Sequence, residues 1–383
     1  MGCSAIKLAL MTGVLCLVAG LPFVPAAPGF ETDLRGQLSG WFVSRQDDKR
    51  EDNTGFRYIP ELDFSFPLDG DLAIDAEVAA DGYWSSKEDE DGDQADAELY
   101  RLWLRVAATQ YEIRGGLQKI DFGSAALLRP LMWFDRVDPR DPLGLTEGVT
   151  GLLGRYYFLN NTNVWLWSLF GNDEPKGWET MASVEDRPEI GGRVQTPWLE
   201  GEIALSFHYR EVDAEDLDLI DDGTNSFQEN RLGLDGKWDV GVGLWFESVV
   251  IHQDIDAISM QYRKFLSIGL DYTVDLGNGL NAIGETLWVS ASEDWDDSGE
   301  IVAFSAASVN YPVGLLDSAA GIIYFDWDNQ DVYRYVSWER RYDNWRFYAM
   351  GFWNPEVLQI YATDRAETLF GGKGVQLMTV FNH

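Results

Sequence analysis

The chain has 383 residues, of which 64 are acidic and 29 basic, so its net charge is −35. This acid excess excludes a nucleic-acid backbone as the partner, because phosphates are bound by basic surfaces. Hydrophobic residues make up 45% and charged residues 24% of the chain, a composition that fits neither a disordered chain nor a helical membrane protein. Three histidines and two cysteines leave little material for a zinc site.

The N-terminus has the features of a secretion signal. Lys7 gives a positive start, residues 8–24 form an apolar run, and small residues precede a predicted cleavage after Ala26. Cys3 and Cys16 are lost with this segment, so we expect a mature chain without cysteine. After the signal, no apolar stretch reaches the length of about 18 residues that a transmembrane helix requires.

Apolar and polar residues alternate along most of the chain that follows. Between residues 56 and 66, Phe56, Tyr58 and Phe64 share one face, whereas Arg57 and Glu61 share the other. A period of two is that of a β-strand with one apolar face. In chain order, the predicted strands are 33–44, 55–66, 71–84, 97–107, 111–120, 151–159, 163–171, 189–197, 201–211, 228–239, 241–252, 260–275, 280–292, 300–311, 317–326, 331–341, 344–353 and 374–382.

The predicted connections alternate between short turns, such as 276–279, and longer, often acidic loops, such as 211–227 and 354–372. Short turns on one side, long loops on the other and an even strand number are typical of transmembrane barrels. We therefore predict an all-β fold, a transmembrane antiparallel β-barrel of about 18 strands with one inward-folded loop. We expect the chain to divide into a signal peptide over 1–26 and an outer-membrane β-barrel over 27–383, in a Gram-negative bacterium.

Two further features concern the membrane. Aromatic residues lie near many predicted strand ends, among them Trp41, Trp198 and Trp345, where amphipathic rings suit a bilayer interface. Lys264 falls on the lipid-facing side of its predicted strand, which we interpret as a snorkelling position near the membrane boundary. Because β proteins are rich in aromatic residues in general, a soluble, acidic, secreted β protein that binds sugars is the alternative.

The polar faces of the strands are predicted to line a lumen, because a barrel of about 16–18 strands is too wide for side chains to fill. Arginines on this face would favour anions, whereas arginines paired with facing acids would neutralise the wall. The arginines predicted on the lumen wall are Arg57, Arg101, Arg105, Arg114, Arg155, Arg193, Arg210, Arg231, Arg263 and Arg346.

The loop over residues 121–150 is too apolar to extend into water and too rich in proline to be a strand pair. We predict that it folds into the barrel and narrows the lumen, with Leu131, Met132, Trp133 and Phe134 packed against the wall. The alternative is an outer loop that packs on its neighbours. The charges predicted at the channel constriction are Arg129, Asp135, Arg136, Asp138, Arg140 and Asp141.

The segment 115–119 (Gly-Gly-Leu-Gln-Lys), followed by the loop that holds these charges, resembles the strand and loop of porin-like bacterial outer-membrane proteins. The predicted strand number is similar to that of the alginate-export class of these barrels. The last strand, with Val375, Leu377 and Phe381 on one face, resembles the C-terminal strand of such barrels. The resemblance implies an outer-membrane channel for passive passage of small or anionic solutes, with glycan export as an option.

A second function stays open, namely a structural sleeve that holds a periplasmic partner such as an electron carrier or polysaccharide machinery. The expected partners are outer-membrane lipid, lipopolysaccharide and permeating solutes, and nucleic acid is not expected. We expect no cofactor, because the acidic runs at 88–91 and 293–297 lack the spacing of a dedicated Ca²⁺ loop, although loosely bound Ca²⁺ or Mg²⁺ would fit them. No enzyme is expected, since His208 and Ser206 share one wall without a triad geometry.

Overall fold

The computed structural model describes residues 30–46, 52–68, 70–87, 93–214, 226–255, 260–355 and 370–383. The predicted signal segment, the acidic run 88–91 and most of the loops 211–227 and 354–372 lie outside the described residues. Within the described ranges, no helix is long and apolar enough to cross a membrane.

Eighteen antiparallel strands form one sheet, and the sheet closes into a barrel because the first strand pairs with both the second and the last. The predicted architecture is confirmed, and every predicted strand overlaps an observed one. The strands are β1 (Glu31–Arg45), β2 (Asp52–Pro67), β3 (Ala73–Lys87), β4 (Gln94–Ala108), β5 (Tyr111–Gln118), β6 (Val149–Tyr157), β7 (Asn163–Leu169), β8 (Glu189–Trp198), β9 (Gly201–Asp213), β10 (Ser226–Asp239), β11 (Gly243–Asp254), β12 (Tyr262–Val274), β13 (Leu280–Ser292), β14 (Glu300–Pro312), β15 (Asp317–Asp326), β16 (Val332–Arg341), β17 (Trp345–Trp353) and β18 (Lys373–Asn382).

The alternation of the sequence becomes two chemically different faces of the sheet. In β9, Leu205 and Phe207 are exposed on the outward face, whereas Ser206, His208 and Arg210 are buried on the inward face. The neighbouring strands satisfy each other's backbone N–H and C=O groups, as a structure surrounded by lipid requires. The outward face is therefore an apolar surface that suits a bilayer, and the inward face carries the polar chemistry.

The chain divides into two compact units. The first contains β1–β4, β17 and β18, and the second contains β5–β13 and nearly all of β14. In the first unit, the register of β3 and β4 shifts between Ala79 and Ala80, which marks a β-bulge. In the second unit, the connections 119–148 and 170–188 bring a buried apolar and ionic core onto the inward faces of the strands.

The lipid-facing Lys264 shows how a charge is accommodated on the outward face of β12. Its Nζ donates hydrogen bonds to the backbone carbonyl oxygens of Trp295 at 2.7 Å and Asp294 at 3.4 Å, and also to that of Asp297. These carbonyls belong to the connection after β13. The ammonium thus leaves the strand face for polar partners beyond the strand end, as the snorkelling interpretation predicts.

Candidate functional site

The connection between β5 and β6, residues 119–148, lies against the inward side of the second unit. Trp133 and Phe134 are each 1% exposed. The ring of Phe134 lies 5.5 Å from that of Trp167 on β7 and 5.0 Å from that of His208 on β9. These partners point away from the outward-facing Leu166, so the loop folds inward, as the sequence predicted.

Apolar anchors hold the loop in this position. Phe122 packs edge-on against Trp133 at a centroid distance of 5.5 Å, and Leu131 is buried beside them. The wall makes room at Gly233 on β10, where a Cβ atom would lie 2.6 Å from Cδ2 of Leu131. Each fully buried side chain of this size contributes about 1.5–3 kcal/mol relative to exposure, which offsets an entropy cost of similar size for ordering the residue that carries it.

An irregular loop has no ladder partner for its backbone N–H groups, and two wall carboxylates take that role. Glu247 on β11 and Glu285 on β13 each accept three backbone N–H hydrogen bonds from the loop, and Glu285 also accepts one from the Trp245 indole at 3.1 Å. The donors to Glu247 are Ser124 at 2.6 Å, Ala125 at 2.8 Å and Leu131 at 3.0 Å, and those to Glu285 are Ala126 at 2.6 Å, Leu127 at 2.9 Å and Leu128 at 2.5 Å.

Gly123 permits this approach of the loop to the wall. Its φ is +99°, a conformation that side chains other than glycine rarely adopt. A Cβ atom at this position would also lie 2.3 Å from Oε1 of Glu247. The glycine is therefore required by both the backbone conformation and the close contact with the carboxylate.

Two of the predicted constriction charges form a cluster at the start of the loop. Arg129 is about nine-tenths buried and forms an ion pair with Asp121, whose other neighbour is Lys119 at 3.1 Å. Burial acts to raise the pKa of Asp121, but the charges of Arg129 and Lys119 lower it below its usual value. Asp135 is 1% exposed, and burial, reinforced by the charge of Asp121, raises its pKa to about 6.

The other predicted constriction charges lie further along the loop. Arg140 is buried and makes a bidentate pair with Asp138, with Nε–Oδ1 at 2.8 Å and Nη2–Oδ2 at 2.7 Å. Asp141 accepts a hydrogen bond from the Leu143 backbone at 2.9 Å. Arg136 is partly exposed, and its Nε has no hydrogen-bond partner within the described ranges. The loop therefore collects all six residues, and their contact with a solute stays a prediction.

The predicted wall arginines lie on inward faces, and most of them are paired. Arg193 makes a bidentate pair with Asp235, at 2.6 and 2.8 Å, and Arg155 pairs with Glu112 at 3.0 Å. Arg101 is buried, whereas Arg114 and Arg346 are partly exposed. The remaining pairs are Arg57–Asp81 at 3.1 Å, Arg105–Asp75 at 2.8 Å, Arg210–Glu229 at 2.7 Å, Arg231–Glu229 at 2.6 Å and Arg263–Glu229 at 3.8 Å.

A second inward connection, residues 170–188, joins β7 and β8 and was not singled out from the sequence. Its Lys176 and Glu179 are buried, and Glu179 forms ion pairs with Arg210 at 3.2 Å and Arg231 at 2.6 Å. The Trp178 indole donates to the backbone carbonyl of Arg129 at 2.8 Å, which joins the two loops. The available signal was an isolated pair of large apolar residues, Trp178 and Met181, in a polar stretch.

The side chains of His208 and Ser206 form hydrogen bonds within the barrel wall. The Trp167 indole donates to Nδ1 of His208 at 3.2 Å, and Nε2 of His208 lies 3.0 Å from Glu189. The hydroxyl of Ser206 accepts a hydrogen bond from Arg193 at 2.9 Å. Both side chains are buried, so their partners are structural.

Three acidic side chains in the first unit, Glu61, Asp63 and Glu77, bring one oxygen each within 4.8 Å of one another. The guanidinium of Arg35 already lies between two of them, since it donates to both Glu61 and Asp63. A built-in cation thus balances this cluster, and loop-bound Ca²⁺ or Mg²⁺ stays a prediction.

The chain matches no protein-family model and no curated sequence. It is similar to the solved structure of OccD3 from Pseudomonas aeruginosa, with 10% identity, a TM-score of 0.57 and coverage of 92% of this chain and 91% of the other. It is also similar to OccAB4 from Acinetobacter baumannii, with 10% identity, a TM-score of 0.56 and coverage of 92% of this chain and 98% of the other. The outer membrane channel DcaP of Acinetobacter baumannii has 11% identity and a TM-score of 0.51, with coverage of 95% of this chain and 100% of the other.

The fold is that of a porin-like outer-membrane β-barrel. This confirms the resemblance to porin-like barrels that the sequence indicated. At 10–11% identity the likeness extends to the fold and not to the solute. This porin-like barrel has an apolar outward face and an inward loop, and both restrict the functions that the protein can have.

Proposed function

We propose that this protein is a passive channel of the outer membrane, in which residues 119–148 form the constriction. The observation that supports this most directly is the seating of the loop on the inward face. Apolar anchors and two wall carboxylates fix it there, whereas an outer loop would need neither.

We further propose that the permeating solutes are small and polar or anionic. Arg136 supports this, because it is the partly exposed arginine of the loop with an Nε that lacks a partner within the described ranges. Two connections fold against the inward face of the second unit, which leaves less width for a thick polymer. Small solutes are therefore favoured over glycan export.

Single-channel recording of the purified protein in planar bilayers tests the channel. We expect a steady ohmic current. A silent protein that conducts only when a periplasmic partner is added would favour the sleeve instead. Recovery of native protein in buffer without detergent would contradict the membrane assignment and return the protein to the secreted, sugar-binding class.

A further inference from the structure

The seat of the inward loop depends on charge at two points. Along residues 124–131 six backbone N–H groups converge on two carboxylates, three on Glu247 and three on Glu285. A run of N–H groups that face one point forms an anion-binding concavity. Here the anions are side chains of the barrel wall itself.

Burial makes these hydrogen bonds decisive. Glu247 is fully buried and Glu285 is 3% exposed, so water does not replace a lost donor. A buried carboxylate is tolerated only when it is paired or hydrogen-bonded. The hydrogen bonds to an ionised acceptor are about twice as strong as neutral ones, which concentrates the holding energy of the loop backbone at these two residues.

Few other charges act on the two groups. Arg129 of the loop and Asp235 of β10 are the charged side chains that act on Glu247. Asp121 and Asp135 act on Arg129, and Lys119 lies 3.1 Å from Asp121 and 3.9 Å from Asp135. For Glu285, the partners are the backbone of the loop and the neutral Trp245 indole. The loop amides are thus the main counter-charge of both carboxylates.

A donor at either position would oppose this arrangement. An ionised carboxylate is an acceptor only, whereas the amide of a glutamine carries an NH₂ donor. That donor would face N–H donors, and some of the six hydrogen bonds would be lost.

We propose that Glu247 and Glu285 are the positioning residues of the constriction, and that the six backbone hydrogen bonds they accept hold the loop 119–148 seated. This inference rests on the proposed channel function, but it concerns how the loop is held.

The experiment uses the full chain refolded in detergent and reconstituted in bilayers, with the substitutions Glu247→Gln and Glu285→Gln singly and together. Glutamine keeps the shape, has no charge and replaces one acceptor oxygen with an NH₂ donor. The matched control is Asp75→Asn, an inward-facing carboxylate of β3 whose partners are Ser65 and Arg105. The readouts are the amide hydrogen-exchange protection of residues 124–131 and the conductance, both at neutral pH.

The double variant should show protection at least about tenfold lower than the wild type, after correction for the intrinsic exchange rate, and an altered conductance. The single variants locate the effect if the double variant does not fold. E247Q should release the amides of Ser124, Ala125 and Leu131, and E285Q those of residues 126–128. Asp75→Asn should follow the wild type.

The inference is overturned if the variants keep wild-type protection and the wild-type conductance. Equal loss of protection in Asp75→Asn would also overturn it, because the effect would then be a general response to losing a wall charge. An absence of current in every form would instead contradict the channel, while the exchange pattern of residues 124–131 would still decide how the loop is held.

Discussion

The two units build their inward walls from the same residue types, with opposite results. In the second unit, Arg210 and Arg231 have side chains that are 0% and 1% exposed, and they share Glu229 and Glu179. In the first unit, the side chain of Arg35 is 56% exposed, although it too pairs with two acids. The difference is the covering connection, because residues 170–188 exclude water from one set of pairs.

The comparison shows that an arginine on an inward face has no fixed role. A covered ion pair has strong attractions and a large desolvation cost, so the removal of one partner leaves an uncompensated charge. An exposed pair is screened and contributes little. Whether a wall charge meets the solute or stabilises the fold therefore depends on the loop above it.

The largest expected effect comes from breaking a covered pair. Glu229→Ala should destabilise the barrel by about 3–5 kcal/mol, because Arg210 and Arg231 lose a shared partner in a buried site. Arg35→Ala in the exposed wall should cost less than about 1 kcal/mol. Urea unfolding of the refolded protein, followed by tryptophan fluorescence, measures both. Equal costs would remove the distinction between the two walls.

A smaller effect is expected when the cover itself is weakened. Trp133→Ala should cost about 3 kcal/mol of loop anchoring, at the low end for a buried aromatic residue, because Phe122 and Phe134 can move into the space. We expect a higher and noisier single-channel conductance. Trp198→Ala, a half-exposed aromatic residue at a strand end, is the control and should leave the current unchanged. An unaltered current in Trp133→Ala would contradict the role of the loop.

The loop also contains a buried acid that gives its seat a pH dependence. Because the pKa of Asp135 is raised to about 6, the seated wild-type loop is destabilised as pH rises from about 4 to about 6. Asp135→Asn should stabilise it by about 3 kcal/mol above pH 6 and have no effect well below pH 4. The measurement is the exchange protection of residues 133–137 across this range.

Asp141→Asn serves as the control for that measurement. Asp141 is partly exposed, and asparagine can still accept the hydrogen bond from the Leu143 backbone. The Asp141→Asn variant should show the same pH dependence of exchange protection over residues 133–137 as the wild type. If Asp135→Asn keeps this trend as well, Asp135 is not the group that titrates.

The smallest expected effect is on ion selectivity. Acidic outer loops should give a weak cation preference in dilute salt, which salt screens beyond about 8–10 Å. The preference should then shift toward anions, and Arg136→Gln should remove most of that shift. Arg140→Gln should retain it, because Arg140 is buried against Asp138. Reversal potentials at two mean ionic strengths separate these outcomes, and a larger effect of Arg140→Gln would place that arginine in the pore.

The strands were predictable from sequence because each face of the sheet imposes a period of two, and this signal is local. The inward loop was predictable for a related reason, since Leu131, Trp133 and Phe134 are too apolar for water. The roles of Glu247 and Glu285 were missed. Each is an acid in the middle of a largely apolar stretch of strand, which is a usable signal, but its partners are backbone amides that have no sequence signature.

The burial of the charged residues was also beyond sequence reasoning. Arg129, Arg136 and Arg140 look alike in the sequence, yet two are buried in ion pairs and one is partly exposed. The burial of the second inward connection, residues 170–188, was missed for the same reason. Glu179 is an ordinary residue for an outer loop, and its burial goes with its ion pair to Arg210, 31 positions later in the chain. Such long-range pairing has no local pattern.

The pairing of β1 with β18 has a consequence for biogenesis. It joins Gln37 to Asn382, which are 345 positions apart in the chain. Synthesis begins with the residues of β1 and ends with those of β18. Both edges of the sheet therefore stay unpaired until the last strand is present. Exposed edges recruit other chains. On its way to the membrane, the whole chain must therefore be kept from associating with other chains. Closure of the barrel then removes both edges in one step.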